Sequence, residues 1–381
     1  LTRFFQYLSG WDVGQLKNTF YKLSYEKSLK IVYIGGSVTS GTGASSDDKG
    51  WSALVTDVLQ ARFQNSTVEG VNMGVGGTGS YLGMARFEDN VIKKNPDLVF
   101  IEFAINDRYN GISAEQSKQD TEYMIRALNK SNPYADIVVV LITDREVFGT
   151  EYKSYRAIKE VADYYNIPVV DMGAAMYRQL GGSIANWSGY YADGVHPLDA
   201  GHKIYADAVA DEFNTAFINL NKEPHILSEA YLCENPVTTV DLLTRDTFGP
   251  FKWGTLDDDI YGANYWFNNT TYEKSGSPLR TSHSRCFTNI LPKYIYPKYD
   301  GATLEFSVTG TSIGIIGTIK ADQSLTITVD GGSPVTLTGS DSTGITEYPV
   351  TNGLSDASHT VKIVAHGSGP YIAITAIFVG K

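Results

Sequence analysis

Two runs constrain the fold more than anything else in the chain: Leu98-Val99-Phe100-Ile101 and Ile137-Val138-Val139-Val140-Leu141-Ile142. A strand that is apolar at every position must be covered on both faces, which is the condition of a parallel sheet flanked by helices. Shorter runs of the same kind alternate with longer segments of helical period, the signature of β-α units. Strands are expected at 31–35, 67–72, 98–104, 136–143 and 167–171, and helices at 51–64, 80–94, 114–130, 151–165 and 198–219. The pattern predicts a three-layer α/β/α domain over 30–222, preceded by an arm, 1–29, of no clean period that packs on a neighbouring surface.

After Glu223-Pro224 the texture changes. Residues 225–300 carry prolines, glycines and aromatics, and from Ala302 short alternating runs take over. Leu304, Phe306 and Val308 alternate with polar neighbours, as do Leu325, Ile327 and Val329 ahead of Asp330-Gly331, a hairpin turn signal. With similar runs at 335–338, 359–364 and 371–379, residues 223–381 are expected to form a jelly-roll-like β-sandwich, comparable to a carbohydrate-binding module.

The formal charge of −11 argues against a general nucleic-acid partner. No apolar run reaches the roughly 18 residues of a membrane span, and residues 1–10 lack a secretory pattern, so a cytoplasmic protein is expected, with secretion the alternative. Cys233 and Cys286 allow two free thiols or one bridge. Sequons begin at Asn65, Asn186 and Asn268, and chance in an Asn/Ser/Thr-rich chain accounts for them.

The first strand ends in Ile34-Gly35-Gly36-Ser37-Val38-Thr39, which delivers a serine into a small-residue loop. A serine hydroxyl becomes a useful nucleophile only when a base takes its proton and a carboxylate orients that base. Asp193-Gly194-Val195-His196-Pro197 supplies both, beyond the last strand and on the same carboxyl edge of the sheet. Oxyanion donors are offered by the glycines of Asn72-Met73-Gly74-Val75-Gly76-Gly77-Thr78 and by Asn106 in Ala104-Ile105-Asn106-Asp107.

These four blocks, spread over about 31–215, resemble the SGNH hydrolases, or GDSL-type esterases. The resemblance implies a flavodoxin-like fold, Ser37 as nucleophile, His196 as base and Asp193 as its acid. It also implies an oxyanion hole built from Ser37, Gly77 and Asn106, with Gly76 the alternative to Gly77, and needs no metal or organic cofactor. The family's first block usually reads Gly-Asp-Ser and its third Gly-x-Asn-Asp; here Gly36 and Ala104 depart from both. The Gly-Gly-Ser-Val-Thr form is similar to that of carbohydrate esterases with an accessory β-sandwich.

The expected activity is removal of acetyl groups from an acetylated oligo- or polysaccharide such as xylan or xylo-oligosaccharide. A lipid or thioester acylhydrolase and a non-catalytic sugar-binding protein are the alternatives, and homo-oligomerisation stays open. Trp187, Tyr190 and Tyr191 line a sugar pocket or pack in the core, and Asp107 is read as holding loops. His202 is read as a surface or packing residue, and Asp257-Asp258-Asp259 as a solvated acidic turn rather than a calcium loop.

Overall fold

The computed structural model describes residues 16–213, 221–244, 300–339, 346–367 and 372–381. One compact unit takes in the chain to Glu234 apart from Met84–Arg86, and the second comprises those three residues and the chain from Asn235. In the first, β1 (Ser28–Gly35), β2 (Thr67–Gly74), β3 (Leu98–Glu102), β4 (Asp136–Leu141) and β5 (Val169–Asp171) form one sheet in the order β2-β1-β3-β4-β5. Every pair is parallel. That is the flavodoxin-like order, which places ligands at the carboxyl ends of the strands where the winding direction reverses, between β1 and β3.

All five residues of β3 and all six of β4 are buried, as their unbroken apolar runs require, whereas the edge strand β2 is largely exposed. Tyr33 stacks on Phe100 at 5.1 Å between ring centroids, and Trp51 meets Tyr33 edge-on at 5.3 Å, so one aromatic cluster joins β1, β3 and the helix Trp51–Arg62. The expected helix at 80–94 is broken into Ser80–Ala85, Phe87–Asn90 and a 3₁₀ turn Ile92–Lys94. A helix that the sequence did not announce, Met172–Gln179, follows β5, with the Asp171 carboxylate accepting from Ala174 N–H at its start.

The described part of the N-terminal arm belongs to this unit: Leu16, Phe20 and Leu23 enter its core, and β1 begins two residues before position 30. The sequence places the boundary between about 222 and 235, and the chain stays on the first unit as far as Glu234. Asn18 exchanges two hydrogen bonds with the Glu223 backbone, and His225 reaches Asp136 at 2.7 Å. The Arg126 guanidinium lies 3.8 Å from the Tyr231 ring centroid, and the Glu122 carboxylate accepts the Leu232 and Cys233 N–H groups. Cys233 is buried with a free thiol, which burial and then Glu122 push up in pKa. Cys286, Asp257-Asp258-Asp259 and the Asn268 sequon lie outside the described residues.

The second unit pairs two four-stranded antiparallel sheets. One is β10 (Val335–Thr338), β9 (Ser324–Val329), β12 (Ala357–His366) and β7 (Thr303–Gly310); the other is β11 (Thr346–Thr351), β8 (Ser312–Ile319), β13 (Ile372–Gly380) and β6 (Val240–Thr244). Leu304, Leu325, Ile327 and Ile363 of one sheet share a core with Ile313, Ile315, Ile374 and Ile377 of the other, which makes the unit a β-sandwich. Asp330 and Gly331 both take positive φ, 51° and 69°, and Gly332 N–H closes onto Val329 O, so the turn anticipated between β9 and β10 is present.

Candidate active site

Ser37, Asn106 and the Gly76-Gly77 loop come from the carboxyl ends of three neighbouring strands, β1, β3 and β2. After β1 the chain turns at Gly36 into a single helical turn, Ser37–Ser40, so Ser37 is its first residue. The N–H of a first helical residue has no partner within the helix and stays available to an oxyanion. The turn is tied down from both sides. Asn72 on β2 donates its amide to Thr39 O at 2.7 Å and to Ser52 Oγ at 2.8 Å, and Thr39 Oγ1 donates to Glu102 Oε2 at 2.9 Å.

His196 Nε2 lies 2.9 Å from Ser37 Oγ, and its Nδ1 lies 2.6 Å from Asp193 Oδ2. A carboxylate can only accept, so Nδ1 carries the proton and Nε2 is left as the acceptor for the serine hydroxyl. The other oxygen, Asp193 Oδ1, accepts the N–H groups of Val195 and His196, each at 2.8 Å. Partial burial works against the Asp193 charge, but the bonds from His196 and Val195 outweigh it and hold the carboxyl below its usual pKa. Asp193 does not cap the following helix, Asp199–Glu212; it organises its own loop.

That loop is a small closed structure. Ala192 N–H donates to His196 O, Leu198 N–H donates to Tyr190 O, and Arg145 N–H reaches across to Gly194 O at 2.8 Å. Beneath it, Trp187 stacks on Tyr191 at 3.7 Å between ring centroids and donates Nε1–H to Asp193 O. Trp187 and Tyr191 are 4% and 2% exposed, so of the two expected roles the structure gives them packing. Tyr190 is half-buried, its hydroxyl accepting from Gln179. His202 is not a surface residue: it is fully buried, accepts from Trp51 N–H and donates to Thr42 O, pinning the loop beyond Ser37 to two helices.

Asn106 belongs to a short helix, Ala104–Tyr109, rather than to an extension of β3. Its amide oxygen is buried without a partner, which leaves the NH2 group as the end available to the cleft. Gly36 allows that close approach, because a Cβ there would lie 2.1 Å from Asn106 Oδ1. The family's usual aspartate therefore has no room at position 36 beside this amide. Asn110 donates to Gly77 O at 3.0 Å, and Gly77 holds φ at +77°, a conformation that favours glycine.

Asp107 does hold loops. Its carboxylate accepts from Ser80 N–H and from the Ser80 and Ser117 hydroxyls, and burial pushes its pKa up to about 6. Asn72 and Glu102, the two polar side chains that brace the turn at Ser37, belong to no motif in the sequence. A charged residue closing an apolar strand was the available signal for Glu102.

Residues 33–204 match the GDSL-like lipase/acylhydrolase family. An acetylxylan esterase of Geobacillus stearothermophilus is 27% identical over 214 residues, half of this chain and 95% of that protein. An arylesterase of Vibrio mimicus is 25% identical over 189 residues, covering 49% of this chain and 89% of that one. The crystal structure of a two-domain esterase active on acetylated mannans superposes with a TM-score of 0.75 at 19% identity, covering 98% of this chain and 97% of that one. The switch-point location and the hydrogen-bonded serine, histidine and aspartate accompany this match to the GDSL-like lipase/acylhydrolase family over residues 33–204, and the chain is an esterase.

Proposed function

We propose that the protein is a serine esterase that removes acetyl groups from a carbohydrate, an acetylated xylan, mannan or oligosaccharide of that kind, through an acyl-enzyme. The observation that carries this reading is the chain of contacts from Ser37 Oγ to His196 Nε2 at 2.9 Å and from His196 Nδ1 to Asp193 Oδ2 at 2.6 Å. Ser37 attacks the ester carbonyl while His196 takes its proton. Asp193 stabilises the imidazolium that forms. The oxyanion is received by the N–H groups of Ser37 and Gly77 and by the Asn106 amide. His196 then protonates the departing sugar hydroxyl, and water repeats the cycle on the acetyl-serine.

The sugar preference draws support from the relatives' substrates and from Tyr109. Asn106, Tyr109 and Asn110 stand at i, i+3 and i+4 and so share one face of their helix. Tyr109 is 52% exposed, with the Arg108 guanidinium 5.3 Å from its ring centroid and Arg108 itself paired with Asp144 and Glu146. An exposed ring steadied in this way beside the oxyanion residues is a surface on which a sugar can stack.

The test is Ser37→Ala, assayed on a chromogenic acetate ester and on acetylated xylan and mannan. Hydrolysis of all three should vanish while thermal unfolding stays close to that of the parent. A folded variant with full activity would end the assignment.

A further inference from the structure

Two buried oxygens near Ser37 have no hydrogen-bond partner: Glu102 Oε1 and Asn106 Oδ1. Glu102 is 0% exposed. Its other oxygen, Oε2, accepts the Thr39 hydroxyl at 2.9 Å and the Gly36 N–H at 3.4 Å. Asn106 Oδ1 meets the same glycine from its α-carbon side, close enough that a Cβ would collide with it. Carboxyl and amide thus press on one residue, the one immediately before the nucleophile.

An orphaned buried acceptor is destabilising, and one of the two relieves both only if it becomes a donor to the other. An amide oxygen cannot donate, but a carboxyl can, when it is protonated. Because Oε2 already accepts twice, the proton belongs on Oε1, the oxygen that lacks a partner. We infer that Glu102 is a positioning residue for the oxyanion hole: as a neutral acid it donates from Oε1 to Asn106 Oδ1, fixing the amide with its oxygen inward and its NH2 group toward the cleft. The inference rests on the esterase reading above.

The electrostatics agree. Burial pushes the Glu102 carboxyl up to about 8, against the lowering effect of the bonds from Thr39 and Gly36, and the nearby Asp107 carboxylate raises it further. Tyr152 and Tyr205 also feel its charge, both neutral acids whose own ionisation burial opposes. When Glu102 ionises it loses the proton it donates. A carboxylate facing Asn106 then favours the reversed amide, NH2 inward, and the oxyanion hole loses a donor. A carboxyl on β3 that reaches the Gly36 N–H also fits the absence of one on residue 36 itself.

The experiment measures kcat and KM for a chromogenic acetate ester from neutral to strongly alkaline pH in the full chain and in Glu102→Gln and Glu102→Ala, with thermal unfolding as the control. In the parent, kcat should fall as pH rises through about 8, with KM little changed. Glutamine keeps both bonds, accepting from Thr39 and donating to Asn106, so Glu102→Gln should lose only a few-fold at neutral pH and lack the alkaline fall. Glu102→Ala should lose about 10²-fold in kcat, the scale of one oxyanion donor. The inference is overturned if Glu102→Gln retains the alkaline fall, if it is as slow as Glu102→Ala, or if a folded Glu102→Ala keeps the parent kcat. Should Glu102→Ala fail to fold, the Glu102→Gln profile decides alone. Ser37→Ala in the same series separates the two readings: activity surviving there removes the esterase site, whereas failure of the Glu102 variants alone leaves it standing.

Discussion

Replacing Gly36 by alanine is the sharpest single probe of the proposed oxyanion hole. The backbone at Gly36 is extended with a negative φ of −86°, outside the left-handed region that favours glycine. The added Cβ is placed 2.1 Å from Asn106 Oδ1 and 2.7 Å from its Cγ. Restoring van der Waals contact requires the amide to retreat by about 1 Å, a misplacement that costs on the order of 10²-fold when it falls on a group acting in the transition state. Removing an oxyanion donor altogether costs about 10²- to 10³-fold in kcat, or roughly 2.7–4 kcal/mol. Gly36→Ala should therefore lower kcat on a chromogenic acetate ester by about 10²- to 10³-fold and leave KM within a few-fold. Because the new methyl could instead shift Ser37, the decisive measurement is the double-mutant cycle with Asn106→Ala. If the loss runs through the amide, Gly36→Ala costs nothing more once Asn106 is alanine. A Gly36→Ala enzyme within ten-fold of the parent, or losses that multiply in the double variant, would refute the reasoning.

Three further outcomes are expected. Asp193→Asn can keep the two backbone bonds with its carbonyl but then turns an NH2 toward His196 Nδ1, forcing the tautomer whose Nε2–H faces Ser37; kcat/KM should drop by about 10³- to 10⁴-fold, and a residual rate above a tenth of the parent would count against the relay. Tyr109→Ala should raise KM for an acetylated oligosaccharide by about 3- to 10-fold, with a smaller effect on a one-ring chromogenic ester, and equal effects on both would remove Tyr109 from sugar contact. In the β-sandwich, His359 donates from Nδ1 to Asp330 at 2.6 Å and from Nε2 to Ser355 O at 2.8 Å, so the fold favours its charged form; the bond to Asp330 and then that to Ser355 raise its pKa. That stability is fully present below the unfolded histidine pKa of about 6.5 and is lost as pH rises through the higher folded value, so a pH series of thermal unfolding should flatten in that window in His359→Gln.

The parallel sheet was legible because β3 and β4 lie between two helical layers and so cannot alternate, leaving runs that have no other reading. The helix Met172–Gln179 was not, since Met-Gly-Ala-Ala offers no period over so short a span and its one cue is the cap at Asp171. In the sandwich, Ser312–Ile319 escaped notice because all eight of its residues are buried and two are glycines, which erases the alternation that marked its neighbours. Ser37 and Asn106 could be found because each follows closely on an apolar strand, and His196 because it shares a short turn-rich loop with Asp193 ahead of the helix Asp199–Glu212. Trp187 and Tyr191 left both readings open because a buried stack and a sugar platform use the same side chains, and only their covered faces decide between them. Glu102 went unread for a different reason: its role depends on two atoms, Thr39 Oγ1 and Asn106 Oδ1, that no spacing in the chain reveals.

The strap of chain from Glu223 to Cys233 bears on how the hydrolase unit can be isolated. A truncation placed where composition changes, after residue 222, would strip away the backbone that Asn18, Glu122 and Arg126 hold. It would leave the Glu122 carboxylate facing solvent without the Leu232 and Cys233 N–H groups, and Arg126 without the ring it covers. A gene fragment ending at Glu234 retains all of these, so an insoluble product from the shorter fragment would report a torn surface rather than a dependence of catalysis on the sandwich.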